Sequence, residues 1–217
     1  MLIDIHTHRP HNAISVKEVL VFDAADSDGR WKQPHLRGEN GLISLGVHPW
    51  SASLWNMDGF TCLKSDVVDP RVLMMGEIGL DKSSSVPFST QKIVFKAQLE
   101  MAELANKPVI LHIVRAMAEI LELKKSHPGI PAWIIHGFRG GKQEAEQYIK
   151  KEFYLSFGTK FNPAALNACP MDKMFLETDE SEEGIELIYD RVADTLRCTV
   201  ETLEEQIEAN FRSIFRK

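Results

Sequence analysis

Residues 71–78 read RVLMMGEI. Between Arg71 and Glu77 every residue is apolar or glycine, as in a strand covered on both faces. The one acidic residue, Glu77, stands near the end of the run. Seven other stretches share this grammar: Leu2–His6 (LIDIH), Glu18–Ala24 (EVLVFDA), Gly41–Val47 (GLISLGV), Pro108–Ile113 (PVILHI), Ala132–Gly137 (AWIIHG), Phe153–Phe157 (FYLSF) and Lys173–Thr178 (KMFLET).

In the second half of the chain, helical periodicity fills the gaps between runs. Val94, Ala97, Met101 and Leu104 recur at helical spacing, and Asn106 and Pro108 mark the stop. Ala116–Lys125 and Lys142–Lys151 fill the next gaps, and Ile185, Ile188, Val192 and Leu196 follow the eighth run. A last helix carries Leu203, Ile207, Phe211 and Ile214, with a capping box expected at Thr202 and Glu205. The first two gaps differ. His11–Lys17 is too short for a crossover helix, and Ala25–Asn40 is polar and rich in turn formers.

Eight runs alternating with helices imply parallel βα units, and hence an α/β fold of the TIM-type (β/α)8 barrel class, trimmed at its early helices. One domain over residues 1–217 is expected. An open doubly wound sheet is the alternative, but no G-x-G-x-x-G supports a dinucleotide version, and Gly137, Gly140 and Gly141 before Lys142 lack P-loop spacing.

Composition narrows the setting. Twenty-five basic against 31 acidic residues give a net charge of −6, which argues against an extended basic groove for nucleic acid. The three scattered cysteines, Cys62, Cys169 and Cys198, fit a reducing compartment and buried thiols. No basic and apolar leader is visible at the start, and no apolar run is long enough to span a membrane, so a cytoplasmic location is expected. Trp31, Trp50, Trp55 and Trp133 read as packing residues, and Met74–Met75 as strand core.

The chemistry lies where the runs end. His6 and His8 close the first run, His48 follows the third, Glu77 ends the fourth, His112 and His136 stand in the fifth and sixth, and Glu177 and Asp179 end the eighth. In a barrel these ends share one mouth. His6 and His8, two residues apart on a strand, face the same way. Taken singly, each residue has an ordinary role. A strand histidine is often a hydrogen-bonded core residue, Asp179 suits the N-cap of a helix starting near Glu182, and Glu77 suits an ion pair with a core arginine. Together they share one explanation: four histidines and two carboxylates can hold two divalent ions, one carboxylate bridging them.

With these residues in hand, the chain resembles the TatD family of metal-dependent hydrolases, in the amidohydrolase-like barrel superfamily. The matching segments are IDIHTH (3–8), LGVHPW (45–50), GEIGLDK (76–82), the Gln91–Ala105 helix with its F-x-x-Q-L (Phe95–Leu99), KPVILHIVRA (107–116), IIHGFRGG (134–141), YLSFG (154–158), FLETDES (175–181) and EANFRSIF (208–215). They run the length of the chain in order. The resemblance implies that His6, His8, Glu77 and Asp179 hold one metal, with Glu77 bridging to a second held by His112 and His136. It also implies that Asp179 orients or deprotonates the attacking water, and that His48 and Arg115 lie near substrate phosphate. The expected activity is that of a phosphodiesterase or deoxyribonuclease with one or two divalent ions (Zn, Mn, Ni, Co or Mg). The expected substrate is phosphate-containing, such as short or single-stranded DNA, with no obligate protein partner.

The chain departs from the family pattern in several places. Arg139 follows the sixth-run His-x-Phe, and Glu180, Ser181, Glu182 and Glu183 replace the usual Ser-Pro after LETD. Arg9 follows H-T-H. The acidic patch would repel a long polyanion, while Arg9, Arg115 and Arg139 could grip a short one. Two alternatives stand beside the nuclease. One is a lactone or amide hydrolase of the same barrel, whose relatives often bridge metals through a strand lysine that the fourth run lacks; the other is a non-catalytic metal-binding relative. His11, His35 and His127 have no expected role.

Overall fold

In the computed structural model, residues 1–10, 14–25 and 41–215 are described. The strands are β1 (Leu2–Thr7), β2 (Val16–Asp23), β3 (Leu42–Gly46), β4 (Val72–Asp81), β5 (Val109–Val114), β6 (Trp133–Ile135), β7 (Tyr154–Phe157) and β8 (Met174–Leu176). The helices are α1 (Met57–Asp66), α2 (Phe88–Leu104), α3 (Met117–Ser126), α4 (Lys142–Lys150), α5 (Pro163–Ala168), α6 (Ile185–Leu196) and α7 (Val200–Phe215). Eight strands lie in one sheet in chain order, the topology of a TIM-type barrel. All eight expected runs become strands. The connections expected to be trimmed, before and after β2, include residues 11–13 and 26–40, with His11, Trp31 and His35, which lie outside the described residues.

Three local expectations change. Helix α1 has no counterpart in the periodicity, because it buries only Gly59 and Leu63; its start is fixed by Asn56, whose side chain accepts from the Gly59 N–H. Strand β4 runs on to Asp81, which pairs with Val114, so GLD continues the strand instead of leaving it. The cap of α7 is Thr199, whose hydroxyl accepts from the Thr202 N–H at 3.2 Å, three residues before the expected position. Among the described residues no helix is long and apolar enough to cross a membrane.

The chain divides into two units, Val21–Trp133 and Met1–Leu20 with Ile134–Lys217. In the first, β3, β4 and β5 pair in parallel, and α2 covers β4 with Val94, Phe95, Leu99 and Ala102 buried. Two buried glutamines of α2, seven residues apart and so on one helix face, fasten loop backbone. Gln98 accepts from Val47 N–H (2.7 Å) and donates to Val47 C=O (3.1 Å). Gln91 does the same to Asp81, at 2.8 and 3.0 Å, and also donates to Val86 C=O. Gly79 has φ +153°, and a Cβ there would run into the His112 carbonyl, so only glycine lets β4 pass β5 at this level.

In the second unit, β1 pairs with β2, and β6, β7 and β8 pair in parallel. The ends of β1 and β8 are joined twice over: His8 N–H donates to Asp179 C=O (3.0 Å) and Asp179 N–H to His6 C=O (2.9 Å). Buried Asp4 reinforces this seam. Its Oδ2 accepts from Thr178 Oγ1 (2.6 Å), and its Oδ1 accepts from Thr178 N–H (3.1 Å) and His6 N–H (3.3 Å). Tyr189 of α6 is buried with its hydroxyl against the Ile3 backbone, donating to C=O at 3.2 Å. Asn210 of α7 donates to Met171 and Met174 carbonyls.

Candidate metal centre

The unit containing β1 and β8 gathers His6, His8, His136 and Asp179. Ligand atoms of His6, His136 and Asp179 all lie within 4.8 Å of one another. Asp179 Oδ1 stands 3.8 Å from His6 Nε2 and 3.6 Å from His8 Nε2, and the His6 and His136 rings are 4.4 Å apart. Asp179 adopts φ +58°, a left-handed conformation that Asp tolerates better than most residues. The two backbone bonds to β1 hold it there.

Glu177 lies behind this group. It is fully buried, and its Oε1 accepts from Gly137 N–H (2.6 Å) and stands 3.3 Å from His136 Nδ1. Burial opposes its ionisation, yet the hydrogen bond and charge of His136 hold its carboxyl below the usual range. A carboxylate on Nδ1 fixes the imidazole tautomer and presents Nε2 as the donor, the usual arrangement of a metal-ligating histidine.

The unit containing β3, β4 and β5 gathers His48, Glu77 and His112, whose ligand atoms again lie within 4.8 Å of one another. Glu77 Oε1 is 2.7 Å from His112 Nδ1 and 3.3 Å from His48 Nε2. His48 Nδ1 accepts the Trp50 backbone N–H at 3.2 Å, so a neutral His48 carries its proton on Nε2, facing Glu77. Asp81 completes the group: its Oδ2 accepts from Trp50 Nε1 (2.7 Å) and lies 3.4 Å from His112 Nε2. Against the opposing effect of burial, the Trp50 bond leads the interactions that hold the Asp81 carboxyl below its ordinary range. Mixed imidazole and carboxylate donors of this kind suit Zn, Mn, Co or Ni, and Mg with water completing its shell.

The expected site residues thus fall into two sets, His6, His8, His136 and Asp179 in one unit and His48, Glu77 and His112 in the other. Arg115 and Arg139 are exposed at loops following β5 and β6. Arg9 is not a spare cation, because its Nη1 donates to Glu182 at 3.1 Å. Trp50 departs from the packing role expected of it: it is 60% exposed, and its indole N–H serves Asp81, whereas Trp133 is buried as expected. Only Cys169 is a buried thiol; Cys62 and Cys198 are half-buried. His127, left without a role, holds Glu103 at 2.9 Å. Asp81 and the positioning role of Glu177 were not anticipated. For Asp81 the signal was strand parity: Glu77, Gly79 and Asp81 share one face of β4.

A TIM-type α/β barrel carrying histidine–carboxylate donor sets at its strand ends is the class that these features define. Residues 22–216 match the family described as TatD related DNase, and the chain belongs to that family. A relative from Cronobacter turicensis named 3'-5' ssDNA/RNA exonuclease TatD is 34% identical over 148 residues, 63% of this chain and 56% of that protein. The chain thus aligns with little more than half the length of that relative. The uncharacterized metal-dependent hydrolase YabD of Bacillus subtilis is 25% identical over 80% of this chain and 76% of its own. Among solved structures, YJJV, a TatD homologue from Escherichia coli K12, superposes with a TM-score of 0.82 at 20% identity, covering 100% of this chain and 98% of that one. That likeness establishes the barrel fold.

Proposed function

We propose that residues 1–217 form a single divalent-metal-dependent phosphodiesterase domain acting on nucleic acid, working in the cytoplasm. His6, His8, Glu77, His112, His136 and Asp179 are the metal ligands in this proposal. The observation that carries it is the chemistry of the two donor sets: each combines neutral-capable imidazoles with a carboxylate, and each has a buried acid, Glu177 or Asp81, fixing a histidine from behind. Family membership and the exonuclease name of the Cronobacter relative support the substrate class.

A bound divalent ion supplies Lewis acidity at the phosphoryl oxygens and brings the pKa of a coordinated water toward neutrality. The chain supplies the rest. Asp179, tied by its backbone to His6 and His8, presents a carboxylate that can take the proton of the attacking water. Glu77 holds His112 and His48 in register as a ligand and orienter. Arg115 and Arg139 offer exposed guanidiniums to the substrate's phosphates. The net charge of −6 is compatible with this, because resident cations are absent from a formal count.

The test combines metal analysis with turnover. After loading with Mn or Zn, the protein is expected to retain at least one ion per chain and to hydrolyse single-stranded DNA. His112→Ala is expected to lose ion content and at least about a hundredfold in rate. Full metal occupancy with no hydrolysis of any phosphodiester, alongside turnover of a lactone, would overturn the proposal.

A further inference from the structure

A cavity of about 370 Å³ opens in the unit containing β1 and β8, directly beside Asp179 and Glu177. Its walls come from the loops after β6, β7 and β8. Ligand sites run from about 300 to 1,000 Å³, so this one has room for a single monomer-sized group and not for a length of strand.

Its charges are arranged unequally. Arg139 and Lys160 line the wall, both are exposed, and among the described residues neither has an ion-pair partner. Of the carboxylates that line the same cavity, Glu177 is committed to Gly137 and His136, Asp179 stands against His6 and His8, and Glu183 is clasped by Arg191. Glu180 is exposed, lines the same cavity and has no ion-pair partner among the described residues. Among the described residues the cavity therefore offers two cations, Arg139 and Lys160, and one carboxylate, Glu180, without an ion-pair partner. One phosphate can be taken by the first pair. Each added nucleotide brings a further negative charge to a cavity whose uncompensated carboxylate is Glu180.

We propose that this cavity is a length-selecting subsite: Arg139 and Lys160 receive one phosphate of the substrate, Glu180 repels the next, and dinucleotide-sized phosphodiesters are turned over in preference to long strands. The proposal rests on reading the chain as a phosphodiesterase. It assigns Lys160 to binding and Glu180 to discrimination. It also carries a salt signature. Strand binding by cationic proteins weakens as salt rises, whereas screening of Glu180 lets long strands enter, so added salt narrows the preference for the dinucleotide.

The experiment compares kcat/KM for a 5′-phosphorylated thymidine dinucleotide and a twenty-nucleotide thymidine strand, using Mn-loaded protein, with Glu146→Gln on the exposed face of α4 as a control. Lys160→Gln is expected to raise KM for the dinucleotide about fivefold, with kcat within about twofold. Glu180→Gln is expected to lower the dinucleotide-to-strand preference about fivefold. In parallel, calorimetry measures binding of thymidine 5′-monophosphate to the native protein and to Lys160→Gln, which is expected to bind about fivefold more weakly. Turnover in which neither variant differs from the control overturns the subsite and leaves the phosphodiesterase intact. Absence of turnover together with Lys160-dependent binding of the monophosphate overturns the phosphodiesterase and the length selection built on it, leaving only a phosphate site. Neither turnover nor binding overturns both.

Discussion

Replacing Thr178 by valine removes one hydroxyl while keeping the side-chain shape. That hydroxyl donates to Asp4 Oδ2 at 2.6 Å and lies 2.9 Å from Thr7 Oγ1, and all three residues are buried. A hydrogen bond to a charged group contributes about 1.5–3 kcal/mol, and valine fills the space, so the expected loss is about 2–3 kcal/mol with no cavity added. With a urea dependence of about 3 kcal/mol per molar, the unfolding midpoint falls by about 0.7–1 M. Thr178→Ser is the matched control. It keeps the hydroxyl and loses one methyl, about 1 kcal/mol and about 0.3 M. Urea titration followed by circular dichroism distinguishes the two. If valine leaves the midpoint unmoved while serine lowers it, the hydroxyl adds nothing and the seam between β1 and β8 is held by backbone bonds alone. If the order is as expected, the Asp4 carboxylate is the keystone that sets His6 and Asp179 in place.

Three further outcomes are expected. Gln98→Leu strips both partners from the buried Val47 amide and should cost about 3 kcal/mol, lowering the melting temperature by about 6–12 °C; a shift under about 2 °C would contradict the fastening role. Burial pushes the Cys169 thiol up to about 12, so at pH 8 a thiol reagent should titrate Cys62 and Cys198 in the native protein and reach Cys169 only after unfolding, and fast labelling of all three would refute this. The Arg71 guanidinium, with bonds of 2.9 and 2.7 Å, holds the Asp69 carboxyl at about 2. Because the folded value is depressed, the stability from this pair is full above the ordinary carboxyl range and is lost as pH falls toward 2. Arg71→Ala should therefore move the Asp69 titration part of the way back toward 3.8, since the backbone bond remains, and should flatten the stability profile below pH 4; an unmoved NMR titration would contradict it.

The candidate donor residues were legible because such residues are expensive to place there. Imidazoles and carboxylates at the ends of apolar runs have no cheap reason to be there, and six of them in barrel order point to one chemistry. Strand identity was legible for the same cause: apolar runs such as RVLMMGEI leave little choice. Helix α1 was not legible, since a helix that buries two residues leaves almost no stripe to read. Nor was the end of β4. The fourth run stops at Ile78 in the sequence, whereas the missing side chain of Gly79 allows β4 to continue past His112 and carry Asp81 forward.

The positioning residues stayed hidden for a different reason. Thr178, Gln91 and Gln98 are ordinary in their own segments and acquire a role only through partners elsewhere in the chain, Asp4 being 174 residues from Thr178 and Val47 51 from Gln98. Past the last residue of a strand, sheet pairing no longer holds the backbone: β3 ends at Gly46, before Val47 and His48, and β4 ends at Asp81. Something must satisfy the last free amides, and α2 does this with both ends of a glutamine side chain at Val47, one residue before His48, and again at Asp81. An amide side chain, with its donor and acceptor on separate atoms, matches a backbone N–H and C=O together, which a carboxylate cannot do. The F-x-x-Q-L signature of that helix is therefore a structural demand of the site: without Gln98 the loop that presents His48 to Glu77 has two buried polar groups and nothing to fix them.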